Sequence, residues 1–146
     1  MKKALVLVLR LLLGGLFLWA GLSKLASPLQ TLGAVYSYQI VLPDGVAALI
    51  ATALPWMEIL LGTALLAGLW LSVATGWTAA LLVFFTAMTA QAWWRGLPID
   101  CGCADLSVLH PALAVLTTPG GATLRNVVLL GLTALLAVLR RPERRA

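Results

Sequence analysis

Charge is what this chain has least of. Asp, Glu, Lys and Arg make up 10% of its residues against 62% hydrophobic, and so little polar surface cannot cover a soluble core without leaving large apolar patches in water. A water-soluble globular domain is excluded on that ground. Acidic side chains are scarcer still, 5 against 10 basic ones. The resulting net charge of +5 gathers mostly near the two termini, so it reads as a membrane-topology signal and not as a nucleic-acid surface. There is one histidine, and Cys101 and Cys103 are the only cysteines. One histidine and one cysteine pair are a thin supply for a four-ligand metal centre. A single pair on one side of a membrane also excludes a cysteine relay that carries electrons across it.

With lipid as the solvent, a spanning helix needs about 20 mostly apolar residues. Three runs qualify: Ala4 to Leu22, Val46 to about Trp94, and Ala122 to Leu139. The middle run has 49 residues, which would reach roughly 74 Å against a hydrocarbon core of about 30 Å. It must fold back, most simply near Gly68 to Ser72. The expected fold is therefore an all-α membrane protein, one domain over residues 1–146. It is a four-transmembrane-helix bundle with helices at about 4–22, 46–69, 72–94 and 122–139. A secretory signal peptide is the competing reading of the first run, and Arg10 inside its apolar stretch argues against it. Lys2, Lys3, Arg140, Arg141, Arg144 and Arg145 lie beyond the outer helices. The connections carry only Lys24, Arg95 and, just inside the fourth helix, Arg125. The positive-inside rule then places both termini in the cytoplasm of a bacterial inner-membrane protein. The connections Ser23–Gly45 and Arg95–Gly121 are expected on the extracytoplasmic side.

Ionisable residues inside hydrocarbon are costly and tend to face partners or cavities. Two stand out, Arg10 and Glu58. Arg10, Gly14, Phe17, Gly21 and Lys24 recur at steps of four and three, so they share one stripe of the first helix, and its glycines permit close approach of a neighbour. Glu58 and Gly62 lie one turn apart on the second helix, just after Pro55. The expectation is a structural intramembrane pair between Arg10 and Glu58, with a proton or substrate path as the alternative.

The connection from Arg95 to Gly121 contains Gly96, Pro98, Gly102, Pro111, Pro119, Gly120 and Gly121, which oppose one continuous helix. Pro111 to Thr118 is apolar enough to lie in the interface or dip back into it. In this connection stands Cys101-Gly102-Cys103. A disulfide between residues i and i+2 closes a very small ring, which the glycine permits, and strain of that kind suits exchange better than bracing. The thiolate is the attacking species, favoured by neighbouring cations. Lys24, Arg95 and Arg125 are the candidates for that role. Asp100 is a candidate proton acceptor, although its charge opposes thiolate formation.

Blander readings stand beside this one. The pair is otherwise a static staple, or a soft-metal site in which Cys101 and Cys103 join His110 and Asp100 or Asp105; no metal ligand set is assigned. Trp56, Trp70, Trp77, Trp93 and Trp94 read as interfacial anchors, and Gln91 with Trp94 as an alternative quinone head-group pocket. Quinone is the one cofactor this suggests.

Several motifs carry a family resemblance. They are Arg10 with Leu-Gly-Gly, Ala20-Gly21-Leu22-Ser23-Lys24-Leu25, Tyr38 followed by Leu42-Pro43, Pro55-Trp56-Met57-Glu58 with Gly62, Asp100-Cys101-Gly102-Cys103, and Arg125-Asn126. In this order, over nearly the whole chain, the sequence resembles the MauE and DoxX-like group of small four-helix bacterial membrane proteins. It departs after the second cysteine, where Ala104-Asp105 replaces the Phe-Gly common in the group. The resemblance implies a redox-associated protein working with an extracytoplasmic thioredoxin-like partner, linked in the family to disulfide formation in an exported enzyme subunit. The reading adopted is a thiol-disulfide oxidoreductase of the membrane that exchanges disulfides through Cys101 and Cys103. The competing class is a non-enzymatic assembly or transport protein that binds a metal or a sulfur species.

Overall fold

A computed structural model describes residues 1–41, 43–99, 115 and 118–140. Five helices follow one another: α1 Lys2–Ala26, α2 Pro28–Ser37, α3 Asp44–Ala67, α4 Leu71–Trp94 and α5 Pro119–Leu139. Among the described residues there is no strand. α1, α3, α4 and α5 are each long and apolar enough to span a bilayer, so the all-α membrane class expected from composition holds. Leu11, Leu60, Val83 and Val128 point outward, as side chains do when lipid replaces water.

α1 and α3 run antiparallel along a seam of glycines. A Cβ on Gly62 would stand 2.7 Å from the Leu18 nitrogen and 2.8 Å from the Gly14 oxygen, and one on Gly21 would stand 2.8 Å from the Pro55 oxygen. Only hydrogen fits where backbones approach this closely. α4 and α5 are also antiparallel, tied by a 2.9 Å hydroxyl contact between Thr123 and Thr89, with Gly120 beside the Trp93 indole. Leu9, Leu13, Leu65, Ala74 and Leu136 form one core cluster, and Phe17, Leu81 and Leu82 form another. The start of α1, the α3–α4 turn and the end of α5 therefore share one end of the bundle, here called the terminal end. The connections between α1 and α3 and between α4 and α5 share the other, the loop end.

The fold-back between α3 and α4 is a tight turn. Gly68 has φ 73° and Trp70 φ 41°, while the Leu69 N–H reaches the Ala64 oxygen at 3.0 Å, closing the helix as glycine C-caps do. Not every tryptophan is an anchor at a helix end. Trp56 lies in the middle of α3 with 58% of its surface exposed, so it faces acyl chains.

α1 continues past Leu22 to Ala26, and α2 occupies a stretch that reads from sequence as plain connection. The break is the single residue Ser27. Pro28 then supplies the preset φ of a first helical turn, and the Thr31 hydroxyl donates to the carbonyls of Lys24 and Ser27, each at 3.2 Å. α2 packs mainly on α3, where the exposed Tyr36 hydroxyl donates to Asp44 Oδ1 at 3.0 Å. That hydrogen bond, with desolvation and the carboxylate's charge behind it, raises the Tyr36 pKa above its ordinary value.

Gly62→Ala should lower stability by about 1–3 kcal/mol, since the new methyl meets backbone on two sides. Gly15→Ala, with nothing within 4 Å of its Cβ, should leave it unchanged or slightly raised; thermal unfolding in detergent compares them, and equal melting for both variants refutes the seam. The α2–α3 clasp depends on a neutral phenol, so it should persist below pH 10 and be lost as pH climbs through the raised Tyr36 value. In a Tyr38→Phe background, ultraviolet titration should show Tyr36 ionising late and Asp44→Asn bringing it back toward normal.

Candidate functional site

The buried face of α1 carries Leu13, Gly14, Phe17, Gly21 and Lys24, and that of α3 carries Pro55, Glu58, Gly62 and Leu65. With Gly14 set against Gly62 and Gly21 against Pro55 and Ile59, the antiparallel register brings Glu58 within reach of the long Lys24 side chain. The Lys24 ammonium donates to both carboxylate oxygens, at 2.6 Å to Oε1 and 2.7 Å to Oε2. Lys24 is 6% exposed and Glu58 1%. The Phe85 ring of α4 sits with its centroid 5.5 Å from the same ammonium, adding a cation–π contact from a third helix. Each charge is thus met by its opposite inside the bundle, the arrangement a low-dielectric interior requires.

This corrects the expected Arg10–Glu58 pair. Arg10 lies 14 residues before Lys24 on α1, about 21 Å away along the axis, too far for its guanidinium to reach. Its Nε donates to the Leu65 oxygen at 2.9 Å and its Nη2 to the Leu66 oxygen at 3.0 Å. It therefore caps the last turn of α3, where carbonyls have no helical partner. The guanidinium also occupies the space a Cβ on Gly68 would need. The stripe read from sequence is the face that meets α3, but ending the helix at Leu22 assigns its basic terminus to the connection and leaves Arg10 as the apparent partner.

At the loop end, Arg95 closes α4 and reaches across to the segment after α2. Its Nη1 donates to the Tyr38 carbonyl at 3.3 Å, and its Nη2 contacts Gln39 Oε1 at 3.4 Å. This strap joins the two connections. Ile99, two residues before Cys101 in sequence, is buried. Cys101, Cys103, Asp100, Asp105 and His110 lie outside the described residues. Lys24, Arg95 and Arg125 stand on three helices toward the loop end, but the Lys24 ammonium is engaged by Glu58 and the Arg95 guanidinium by Tyr38 and Gln39. Gln91 and Trp94 do not share one environment: the Gln91 Oε1 is buried without a hydrogen-bond partner, whereas Trp94 is 93% exposed. Among the described residues no group of three metal-ligating side chains occurs.

Sequence reading missed Phe85 and the Thr89–Thr123 contact, and it named Asn126 only within the Arg125-Asn126 motif, without its burial. Asn126 is 3% exposed and its Nδ2 has no hydrogen-bond partner. An asparagine within an apolar run is a visible signal; a phenylalanine among many apolar residues is not.

The whole of this frame is matched by one family. The model of methylamine utilisation protein MauE covers residues 2–139. The chain belongs to the MauE family. Methylamine utilization protein MauE of Paracoccus denitrificans is 35% identical over 130 residues, covering 88% of this chain and 66% of the relative. The chain thus spans just under two thirds of that relative's length. Of the two groups in the resemblance, MauE is the one the comparison shows. No solved structure matches.

Lys24→Met or Glu58→Gln alone should cost about 3–5 kcal/mol, because each strands a polar or charged partner in hydrocarbon. The double substitution Lys24→Met with Glu58→Leu should recover most of that loss. Unfolding in detergent or bicelles measures all three, and single variants as stable as the parent would show that the pair carries no weight.

Proposed function

We propose that this MauE-family membrane accessory protein is a thiol-disulfide oxidoreductase. Cys101 and Cys103 exchange disulfides with a thioredoxin-like protein on the extracytoplasmic face of the bacterial inner membrane, with both termini in the cytoplasm. The observation that carries the reading is the Arg95 strap. It ties the end of α4, six residues before Cys101, to the segment after α2, so the connection that bears Cys-Gly-Cys leaves a braced rim. Methylamine utilisation, named by the family and by the relative, supplies the physiological setting.

The exchange balances with the residues named. One cysteine thiolate attacks the partner's disulfide, forming a mixed disulfide and releasing a partner thiolate that takes up a proton. The second cysteine, as thiolate, attacks the chain's own sulfur in that mixed disulfide. The Cys101–Cys103 disulfide forms, the partner leaves as a dithiol, and two electrons have moved from this chain to it. Run backwards, the same steps oxidise the partner. Arg95 and Arg125 are the cations assigned to favour the thiolate, and Asp100 the proton acceptor. Lys24 acts through Glu58 as a positioning residue. Where a quinone is the membrane's two-electron carrier, the buried Gln91 Oε1, which lacks a donor, fits a hydroquinone hydroxyl.

Of Cys101→Ser and Cys103→Ser, made singly, the variant that removes the resolving cysteine should trap a mixed disulfide with a periplasmic thioredoxin-like protein, and the variant that removes the attacking cysteine should form none. The trapped adduct appears on non-reducing gels and disappears with reductant. A membrane-impermeant maleimide should label the reduced cysteines of intact spheroplasts. Full function of both serine variants, or labelling only after the membrane is opened, would overturn the reading.

A further inference from the structure

We propose that the terminal end of the bundle binds an anionic phospholipid, with the head-group phosphate received by Arg140 and flanking lysine charge from the start of α1. Val6 of α1 and Leu139 of α5 both pack on the cluster formed by Leu9, Leu13 and Leu136. The first turn of α1 and the last of α5 are therefore neighbours, and Lys2, Lys3 and Arg140 stand within about one turn of that contact. Lys3 is exposed and Arg140 half-buried. The Arg140 Nε is shielded from solvent and has no acceptor. A cationic donor left unmet is expensive, and a phosphate oxygen is the acceptor available where a helix leaves a bilayer.

Among the described residues, the charges at this end favour an anion. The acidic side chains among the described residues are Asp44 and Glu58. The first starts α3 at the loop end and bonds Tyr36, and the second is neutralised by Lys24. Neither opposes an anion at the terminal end. Arg10 satisfies the carbonyls that close α3, so the negative end of that helix does not cancel the basic cluster. Leu69 and Trp70 are 65% and 86% exposed at the same end, which marks the interfacial layer. A lipid fits better than free phosphate because Leu5 and Val8 near the start of α1 and Leu135 and Val138 near the end of α5 are exposed apolar residues, against which acyl chains would lie.

Native mass spectrometry of the delipidated full chain in mild detergent tests this, titrating phosphatidylglycerol and phosphatidylcholine of identical acyl chains. Phosphatidylglycerol should be retained at a clearly lower concentration. Arg140→Gln should weaken that retention about fivefold, the effect expected of one basic side chain near a lipid surface, and leave phosphatidylcholine unchanged. Arg140→Lys should fall between, since it keeps the charge and loses the fork. Each variant is first checked for parental thermal unfolding, and Lys3→Gln, remote from the core, serves as the second arm if Arg140→Gln does not fold. Equal retention of the two lipids, or parental phosphatidylglycerol retention in both Arg140→Gln and Lys3→Gln, overturns the proposal. So does displacement of the lipid by millimolar inorganic phosphate, which would make this an anion site without lipid preference.

Discussion

A lysine and a glutamate buried in hydrocarbon must meet, because neither is tolerable there alone, and the meeting of Lys24 with Glu58 fixes the position of α1 against α3. Glycine contacts permit the seam, but apolar surfaces in lipid slide at little cost, since lipid tails are as apolar as leucine. A doubly hydrogen-bonded ion pair does not slide. A shift of one turn would separate the ammonium from the carboxylate by about 5.4 Å, leaving two charges in a low-dielectric medium. The pair thus specifies register where packing alone specifies only proximity, and the Phe85 contact extends that reference to α4.

From this fixed point the loop end is assembled step by step. The Lys24 carbonyl, in the last turn of α1, receives the Thr31 hydroxyl and so sets where α2 begins. α2 then presents Tyr36 to Asp44 at the start of α3, and the residues after it accept the Arg95 guanidinium from the end of α4. These contacts are local and modest, and several are exposed. Their significance is geometric: together they brace the place where the cysteine-bearing connection departs to a frame anchored within the bilayer.

Much of this was legible in the sequence and some of it was not. Length and hydropathy give four spans because bilayer thickness is a fixed ruler, and Gly68 marks the fold-back because a left-handed turn favours it. The inward stripe of α1 could be read from its spacing. Its partner could not, because pairing depends on the relative height of two helices, and that height follows from contacts such as Gly62 against Leu18 that no single-helix pattern encodes. Reading Lys24 as a flanking charge rests on the cost of burying it, a sound prior that its counter-ion removes. α2 escaped notice because its ten residues, uncharged and containing a glycine, have neither the length of a span nor a strong polar face. Cys101 and Cys103 were identified by chemistry alone, and they lie outside the described residues.

The two ends of the bundle now differ in a way that bears on orientation. At the terminal end, basic side chains lie among carbonyls and exposed apolar residues, with no carboxylate among the described residues there. At the loop end, Arg95 is shared with backbone and amide oxygens, and Asp44 is held by a phenol. A membrane whose cytoplasmic leaflet is the more anionic would draw the first end inward and leave the second facing out. The same electrostatics that orients the chain would then hold the cysteine pair where disulfides persist. On the proposed function, insertion and redox chemistry become one constraint, since reversing the orientation would put both cysteines in a reducing compartment and the basic end against the wrong leaflet.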